Sequence, residues 1–353
     1  MTAVAESRLI TRNRPPQPFG EVGLVPIAVD PFALSLNENP FPPLPAVRAA
    51  LIESIDAANR YPEFLPQRLR SLVADRIGVP DEQIIIGAGA TGVTLQVLHA
   101  ITNAGDRIVM ADPTFEGHQI VSQMTRLEPV MVPLNEHGHQ HLNAMADVAS
   151  DARVVLICRP HNPTGTVESV ADIEEFLRRV PSDTVVILDE AYAEFVAPEH
   201  RLDSVALVHR FPNVVVTRTF SKAYGLAGLR IGYAFGSPQL ASALWSMQLP
   251  FGMGITSLVA VAASYQAESQ LRQRIRLITA ERRSLRTRLR AMGVYSTDAH
   301  ANFVYLPAAG RPWPEVFDQS GLRVRHYCDG GARITIGSHA STRAVLVAVR
   351  NHL

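Results

Sequence analysis

The sequence predicts an α/β protein, a mostly parallel sheet covered by helices on both faces, followed by a smaller α+β unit. Three observations carry this. Runs that are apolar throughout, Val154–Cys158 and Val185–Leu188 above all, read as strands buried on both faces, and helical patterns alternate with them. Polar constellations stand just past the carboxyl ends of such runs, where ligands bind in open α/β sheets. The pattern changes after Tyr233, where long helical stretches give way to a few short strands. A chain of 353 residues suits two domains better than one core.

Composition narrows the function. Apolar residues make up 47% and charged residues 19%, as in a globular protein. Basic and acidic residues balance at 33 each, so nothing points to a nucleic-acid or membrane surface. Cys158 and Cys328 are the only cysteines, which argues against a disulfide framework and fits a reducing cytoplasm. No stretch approaches the roughly 18 apolar residues that span a bilayer, and no signal-peptide pattern precedes Glu6 and Arg8.

Along the chain, Pro15, Pro16, Pro18, Pro26 and Pro31 mark an extended arm, either an untethered terminus or a cover for a site or a partner subunit. Residues 45–58 and 65–77 carry helical patterns, with the loop Arg60-Tyr61-Pro62-Glu63 between them and Gly78 as a stop. Ile84–Ile86 is a short strand that runs into Gly87-Ala88-Gly89-Ala90-Thr91-Gly92 and a helix to about Ile101. Strand, glycine-rich turn and helix present free backbone N–H groups to a phosphate. The spacing is not the dinucleotide fingerprint, which needs an acidic residue about twenty positions later. Strands follow at 107–110 and 129–132. His137, His139 and His141 alternate around Gly138 without an accompanying cysteine or carboxylate pattern, so they read as a solvated loop and no metal site is expected.

Val154–Cys158 leads into Arg159-Pro160-His161-Asn162-Pro163-Thr164-Gly165, and a helix follows at 170–179. Val185–Leu188 ends in Asp189-Glu190-Ala191-Tyr192. A carboxylate there is buried and needs a partner, whether a helix cap, a salt bridge or a ligand. The strand Asn213–Thr217 ends in Thr219, Ser221 and Lys222, and Arg230 lies eight residues beyond Lys222 in a turn with Gly225, Gly228 and Gly232. An amine beside a guanidinium and two hydroxyls can act as a nucleophile next to a held anion, although a single lysine after a strand is more often a solvated one. Helices are expected at 238–247, 256–292, 316–321 and 341–353, and strands at 302–306, 322–326 and 332–337. Arg282, Arg283, Arg286, Arg288 and Arg290 alternate with Leu285 and Leu289 and read as a solvated helix face.

Taken in order, Asn162-Pro163-Thr164-Gly165, Asp189-Glu190-Ala191-Tyr192, Ser221-Lys222 and Arg230 resemble the fold-type I aminotransferases that use pyridoxal 5'-phosphate. Asn37-Glu38-Asn39-Pro40, Arg60-Tyr61-Pro62, Thr219–Tyr233, Ala301-Asn302-Phe303 and Arg333-Ile334-Thr335 are most similar to the histidinol-phosphate and aromatic amino acid aminotransferase group. The resemblance implies an arm over 1–36, a large cofactor domain over 37–248 with a mostly parallel seven-stranded sheet, and a small α+β domain over 249–353 that packs with the arm. It further implies that Lys222 joins the cofactor aldehyde and later moves the substrate proton, and that Asp189 pairs with the pyridine nitrogen. Asn162 and Tyr192 would bond the ring's phenolic oxygen, and Phe115 would stack on the ring. Arg230, Thr219, Ser221 and the backbone at Gly89, Ala90 and Thr91 would hold the phosphate. Tyr61 would reach that phosphate across a homodimer. Arg333 would clamp the substrate α-carboxylate, Arg325 would lie near the side chain or its phosphate, and Asn37 with the arm would close over the substrate.

Two departures from the family pattern stand out, Ala90-Thr91-Gly92 after the phosphate-loop glycine and His161 before Asn162. The expected activity is transfer of an amino group from an aromatic or histidinol-phosphate-type donor to a 2-oxo acid such as 2-oxoglutarate. Competing readings are a transaminase for a non-proteinogenic amino acid, a decarboxylase of an amino acid phosphate on the same cofactor, and a non-catalytic binding protein. Intact Lys222, Asp189 and Arg333 count against the last.

Overall fold

The computed structural model describes residues 26–353, so most of the expected arm lies outside the described residues. β1 (Ile84–Gly87), β2 (Arg107–Asp112), β3 (Glu128–Pro133), β4 (Val154–Cys158), β5 (Val185–Asp189), β6 (Val214–Thr219) and β7 (Gly232–Gly236) form one sheet in the order β1-β7-β6-β5-β4-β2-β3. β7 runs antiparallel to both neighbours, and every other pair is parallel. Alternate residues serve opposite faces, as the strand period of two requires. Val154 and Leu156 join one apolar cluster, whereas Val155 and Ile157 join the other. Each such side chain contributes about 1.5–3 kcal/mol on burial.

Helices cover both faces. α1 (Pro45–Ser54), α2 (Gln67–Ile77), α3 (Gly89–Ile101), α4 (Glu116–Met124), α5 (Leu142–Asp147), α6 (Val170–Arg179), α7 (Ser204–Arg210) and α8 (Pro238–Trp245) belong to this layer. Their ends carry local signals. Gly78 closes α2 at φ 79°. Ser169 caps α6 by accepting from the Asp172 N–H at 3.0 Å, and Arg178 and Arg179 lie in its last turn. α9 (Ile255–Gln266) and α10 (Glu268–Ala291) follow, separated by Ala267 where a single helix was expected. The second unit is an antiparallel sheet of β8 (Phe303–Leu306), β9 (Arg325–His326) and β10 (Ala332–Thr335) in the order β8-β10-β9, with α11 (Trp313–Asp318) and α12 (His339–Arg350). The described end of the arm is tied to this sheet. Leu34 is buried, its N–H donates to the Arg323 carbonyl at 2.8 Å, and its own carbonyl accepts from the Thr335 N–H at 2.9 Å.

Four elements escape the sequence pattern. α4, α5 and α7 are short, and β7 is bracketed by Gly232 and Gly236, so its strand character comes from pairing on both sides. The expected division at 248/249 does not coincide with the packing. Ala260, Val261, Ala263, Ala267 and Leu271 belong to the large sheet's cluster, Ile275 packs against both clusters, and from Ile278 onward the buried residues of α10 join the cluster of β8, α11 and α12. α10 is therefore a spine shared by both units. The arginine-rich face also needs correction. Arg282 is buried and donates from Nη1 to the Ala301 carbonyl at 2.6 Å, and Arg286 pairs with Asp298 at 2.6 Å. Burial pushes the Arg282 guanidinium down to about 10. Only Arg283, Arg288 and Arg290 face solvent.

Arg282→Ala strips a partner from a buried carbonyl, so it is expected to cost about 1–3 kcal/mol in urea unfolding. Arg283→Ala, at an exposed position one residue away, is expected to stay within about 0.5 kcal/mol of the parent.

Candidate active site

The ends of β1, β4, β5 and β6 and the start of β7 share one edge of the sheet, where a cavity of about 300 Å³ opens. One corner is built to hold an anion. The Ser221 N–H donates to Thr219 Oγ1 at 3.1 Å, Thr219 Oγ1 lies 2.9 Å from Ser221 Oγ, and Arg230 Nη1 donates to that Ser221 oxygen at 3.2 Å. Arg230 also donates to the Ala227 and Ala88 carbonyls, at 2.9 and 3.3 Å, and has no acidic partner among the described residues. Its backbone takes the left-handed φ of 52°, as the turn into β7 demands. α3 begins at Gly89 beside it, and the first N–H groups of a helix have no intrahelical acceptor. Two glycines permit this approach. A Cβ on Gly89 would stand 2.4 Å from Arg230 Nη2, and one on Gly232 would stand 2.4 Å from the Gly89 carbonyl carbon and 2.6 Å from the Ala90 nitrogen.

Asp189 ends β5 and is buried. Its Oδ1 accepts from the Ala191 N–H at 3.0 Å, and its Oδ2 lies 2.9 Å from His118 Nε2. His118 was not anticipated from the sequence. It lies on α4, one turn from Thr114 and three residues after Phe115, and its other nitrogen lies 3.4 Å from Thr114 Oγ1. A histidine that closely follows an aromatic residue at a strand end was the available signal. Phe115 lines the cavity, and its ring lies edge-on to His118 at 5.2 Å.

Lys222 lines the cavity, and its Nζ donates to the Leu36 carbonyl at 3.0 Å. Desolvation first, then the Arg333 charge, lower its ammonium to about 8, with Glu38 opposing and Arg230 adding. Tyr192 OH accepts from Asn37 Nδ2 at 2.9 Å and from Asn162 Nδ2 at 3.4 Å, and burial pushes its phenol up. Asn37 is buried at φ 55°, a conformation asparagine tolerates, and its N–H donates to Thr335 Oγ1 at 2.9 Å. Arg333 is only 6% exposed and has no carboxylate partner among the described residues. It donates to Asn162 Oδ1 and, at 2.5 Å, to the Ser35 carbonyl, and its Nε has no partner. Arg325 also lines the cavity but is paired with Glu116.

Two expected residues stand apart. Tyr61 is 82% exposed, packs against Phe251 with tilted rings 4.9 Å apart and does not line the cavity of its own chain. His161 is fully buried, bonded to Thr164 Oγ1 at 2.9 Å and pushed down to about 3 by desolvation, so it stays neutral and packs the loop. Among the expected metal-free histidines, His141 Nδ1 accepts from the Ala144 N–H at 3.3 Å and caps α5.

The residues fit pyridoxal 5'-phosphate on chemical grounds. An anion corner with an uncompensated arginine, a buried carboxylate, an amine of lowered basicity and a second uncompensated arginine line one cavity. Among known proteins, the family described as aminotransferase class I and II matches residues 29–349. An aromatic amino acid aminotransferase of Streptomyces avermitilis is 40% identical over 95% of this chain and 93% of its own length. Another, from Cutibacterium acnes, is 39% identical over 90% and 91%. The structure of a histidinol-phosphate aminotransferase from Sinorhizobium meliloti in complex with pyridoxal-5'-phosphate superimposes with a TM-score of 0.82 at 24% identity, covering 90% of this chain and 91% of that one.

Gly232→Ala is expected to displace the Gly89–Ala90 backbone and to weaken phosphate-group binding at least tenfold, measured by equilibrium titration of the apoprotein with the cofactor. The Lys222 amine must be neutral to attack an aldehyde. The rate of cofactor capture should therefore rise with pH through a midpoint near 8 and not near 10.5. Between those two values the unfolded chain binds the extra proton, so this lysine also makes the apoprotein more stable as pH rises across that window.

Proposed function

Because the chain belongs to the aminotransferase class I and II family and is a pyridoxal 5'-phosphate-dependent aminotransferase, we propose that its donor is an aromatic amino acid and its acceptor a 2-oxo acid such as 2-oxoglutarate. The observation that carries this reading is Arg333, a buried guanidinium without a carboxylate, set in the same cavity as Lys222 and the rings of Phe115, Tyr192 and Tyr327. A buried cation needs a counter-charge, and the α-carboxylate of an amino acid supplies one in the forked geometry that arginine favours.

When bound, the cofactor supplies an aldehyde that joins amines and a ring that takes up the electrons left as the substrate Cα loses its proton. Lys222 Nζ anchors the cofactor and, once free, removes that Cα proton; an amine lowered to about 8 is a competent base near neutral pH. Asp189, which His118 and the Ala191 N–H orient, would hold a proton on the ring nitrogen. Tyr192 and Asn162 would hold the ring oxygen, and Asn162 Oδ1 accepts from Arg333. Phe115 would supply an apolar contact to the ring. Thr219, Ser221, Arg230 and the backbone N–H groups of Gly89, Ala90 and Thr91 hold the phosphate. Asn37, between Tyr192 and Thr335, closes the substrate side and excludes water.

The functional unit in this reading is a homodimer in which Tyr61 reaches the neighbouring subunit's phosphate corner. The exposed aromatic cluster of Tyr61, Phe64 and Phe251 supports it. Among the described residues no helix is long and apolar enough to cross a membrane, and the free thiols of Cys158 and Cys328 suit a cytoplasmic location.

The purified holoenzyme should show a visible absorption band that is missing in Lys222→Ala. Phenylalanine or tyrosine should convert that band to the amine form of the cofactor, and 2-oxoglutarate should restore it. A band that no aromatic donor converts would overturn the donor assignment. Asp189→Asn should retain the cofactor but slow this half-reaction by at least a hundredfold in stopped-flow absorbance.

A further inference from the structure

We propose that Glu116 sets the charge selectivity of the substrate side-chain subsite, by occupying Arg325 so that a substrate with a second anionic group, a 2-oxoglutarate acceptor included, engages Arg325 only by displacing Glu116. This rests on reading the cavity as an amino acid site. Besides Arg230 in the anion corner, two arginines line that cavity, and they differ in one respect. Arg333 has no carboxylate among the described residues, whereas Arg325 is already paired with Glu116. The two arginines are direct cross-strand partners on β10 and β9, so their side chains leave the same face of the small sheet. Like charges placed opposite each other repel, and Glu116 offsets that repulsion.

Glu116 reaches the pair from the large unit. It is the first residue of α4, where a negative charge is favoured by the helix N-terminus, and it follows Phe115 directly. The remaining acidic groups on the cavity wall do not substitute for it. Asp189 is committed to His118 and the Ala191 N–H, and Glu38 lies on the Lys222 side. An uncharged aromatic side chain thus meets a neutral ion pair beside Leu36, Phe115 and Tyr327. A dicarboxylate can bridge both guanidinium groups only by displacing Glu116, and it is repelled while Glu116 stays. Side-chain exposures of 40% for Arg325 and 52% for Glu116 leave the pair screened by solvent, so an incoming anion can displace Glu116. The paired carboxylate also keeps the Arg325 guanidinium above its ordinary range.

The test uses holoenzyme and two unreactive acids, glutarate and 3-phenylpropanoate, titrated by the cofactor's absorbance, together with kcat/KM for L-glutamate and L-phenylalanine as donors. Glu116→Gln should shift the binding ratio at least tenfold toward glutarate, and the kinetic ratio should follow through KM and not kcat. Arg325→Gln should shift both ratios the other way, and in the double variant the effect of Glu116→Gln should vanish. A ratio that stays within twofold in Glu116→Gln overturns the proposal, as does a shift that persists without Arg325. Glu116→Asp, which keeps the charge, should retain most of the selectivity; a helix-capping role alone would leave every ratio unmoved. If phenylalanine is not converted but the glutarate to 3-phenylpropanoate binding ratio moves, the aromatic-donor reading fails and this inference stands. If phenylalanine is converted and the ratios do not move, only this inference fails.

Discussion

Burying charge at the carboxyl edge of a parallel sheet is the constraint on which the rest of the structure depends. Lys222, Asp189, Arg230 and Arg333 converge there; Asp189 and Arg333 are buried, Lys222 is half-buried and Arg230 stays exposed, and an isolated charge is costly where it is buried. The fold settles each one differently. Asp189 receives His118 and a backbone N–H. Arg230 is held by carbonyls and a serine hydroxyl, with its own backbone in the left-handed region. Lys222 has its basicity lowered. Arg333 is left with neutral acceptors only, so its charge has no carboxylate partner among the described residues.

Those groups are coupled through one polar network. Thr335 and Arg333 come from β10 of the small sheet, Asn37 from the tethered end of the arm, and Asn162 and Tyr192 from the loops after β4 and β5. Asn302 adds a bond from its Nδ2 to the Asn37 carbonyl at 3.0 Å. Because every member bonds to the next, the position of the Arg333 guanidinium depends on how the two sheets and the arm sit together. α10, packed in both apolar clusters, fixes that relation from behind. The cavity is thereby a product of two units and a strap, and a change in any of them reaches the site.

Much of this was legible beforehand. The buried strands announced themselves because a strand apolar on both faces has few other destinations; Asn162, Asp189 and Lys222 stood just past strand ends, whereas Arg333 came only from the family resemblance. Lys222, Asp189, Asn162, Arg230 and Arg333 do meet at one cavity. Other features left no such trace. His118 sits on a nine-residue helix too short to show its period. Arg282 looked solvated because its neighbours are, yet its place on α10 turns it toward the Ala301 carbonyl. Tyr61 matters only if a second chain stands opposite it, which no property of one chain's pattern can reveal.

What the sequence by itself determined was the order of elements and the chemical inventory at their ends, since both follow from local periodicity, turn residues and the family pattern. What only the tertiary structure decided was pairing. Asp189 faces His118 from a different element, Glu116 reaches Arg325 across 209 positions of chain, and Gly232 makes room for Gly89. Such contacts join residues far apart in sequence through the packing of sheet on helix. Their energies depend on distance and burial, and neither quantity exists until the chain has folded.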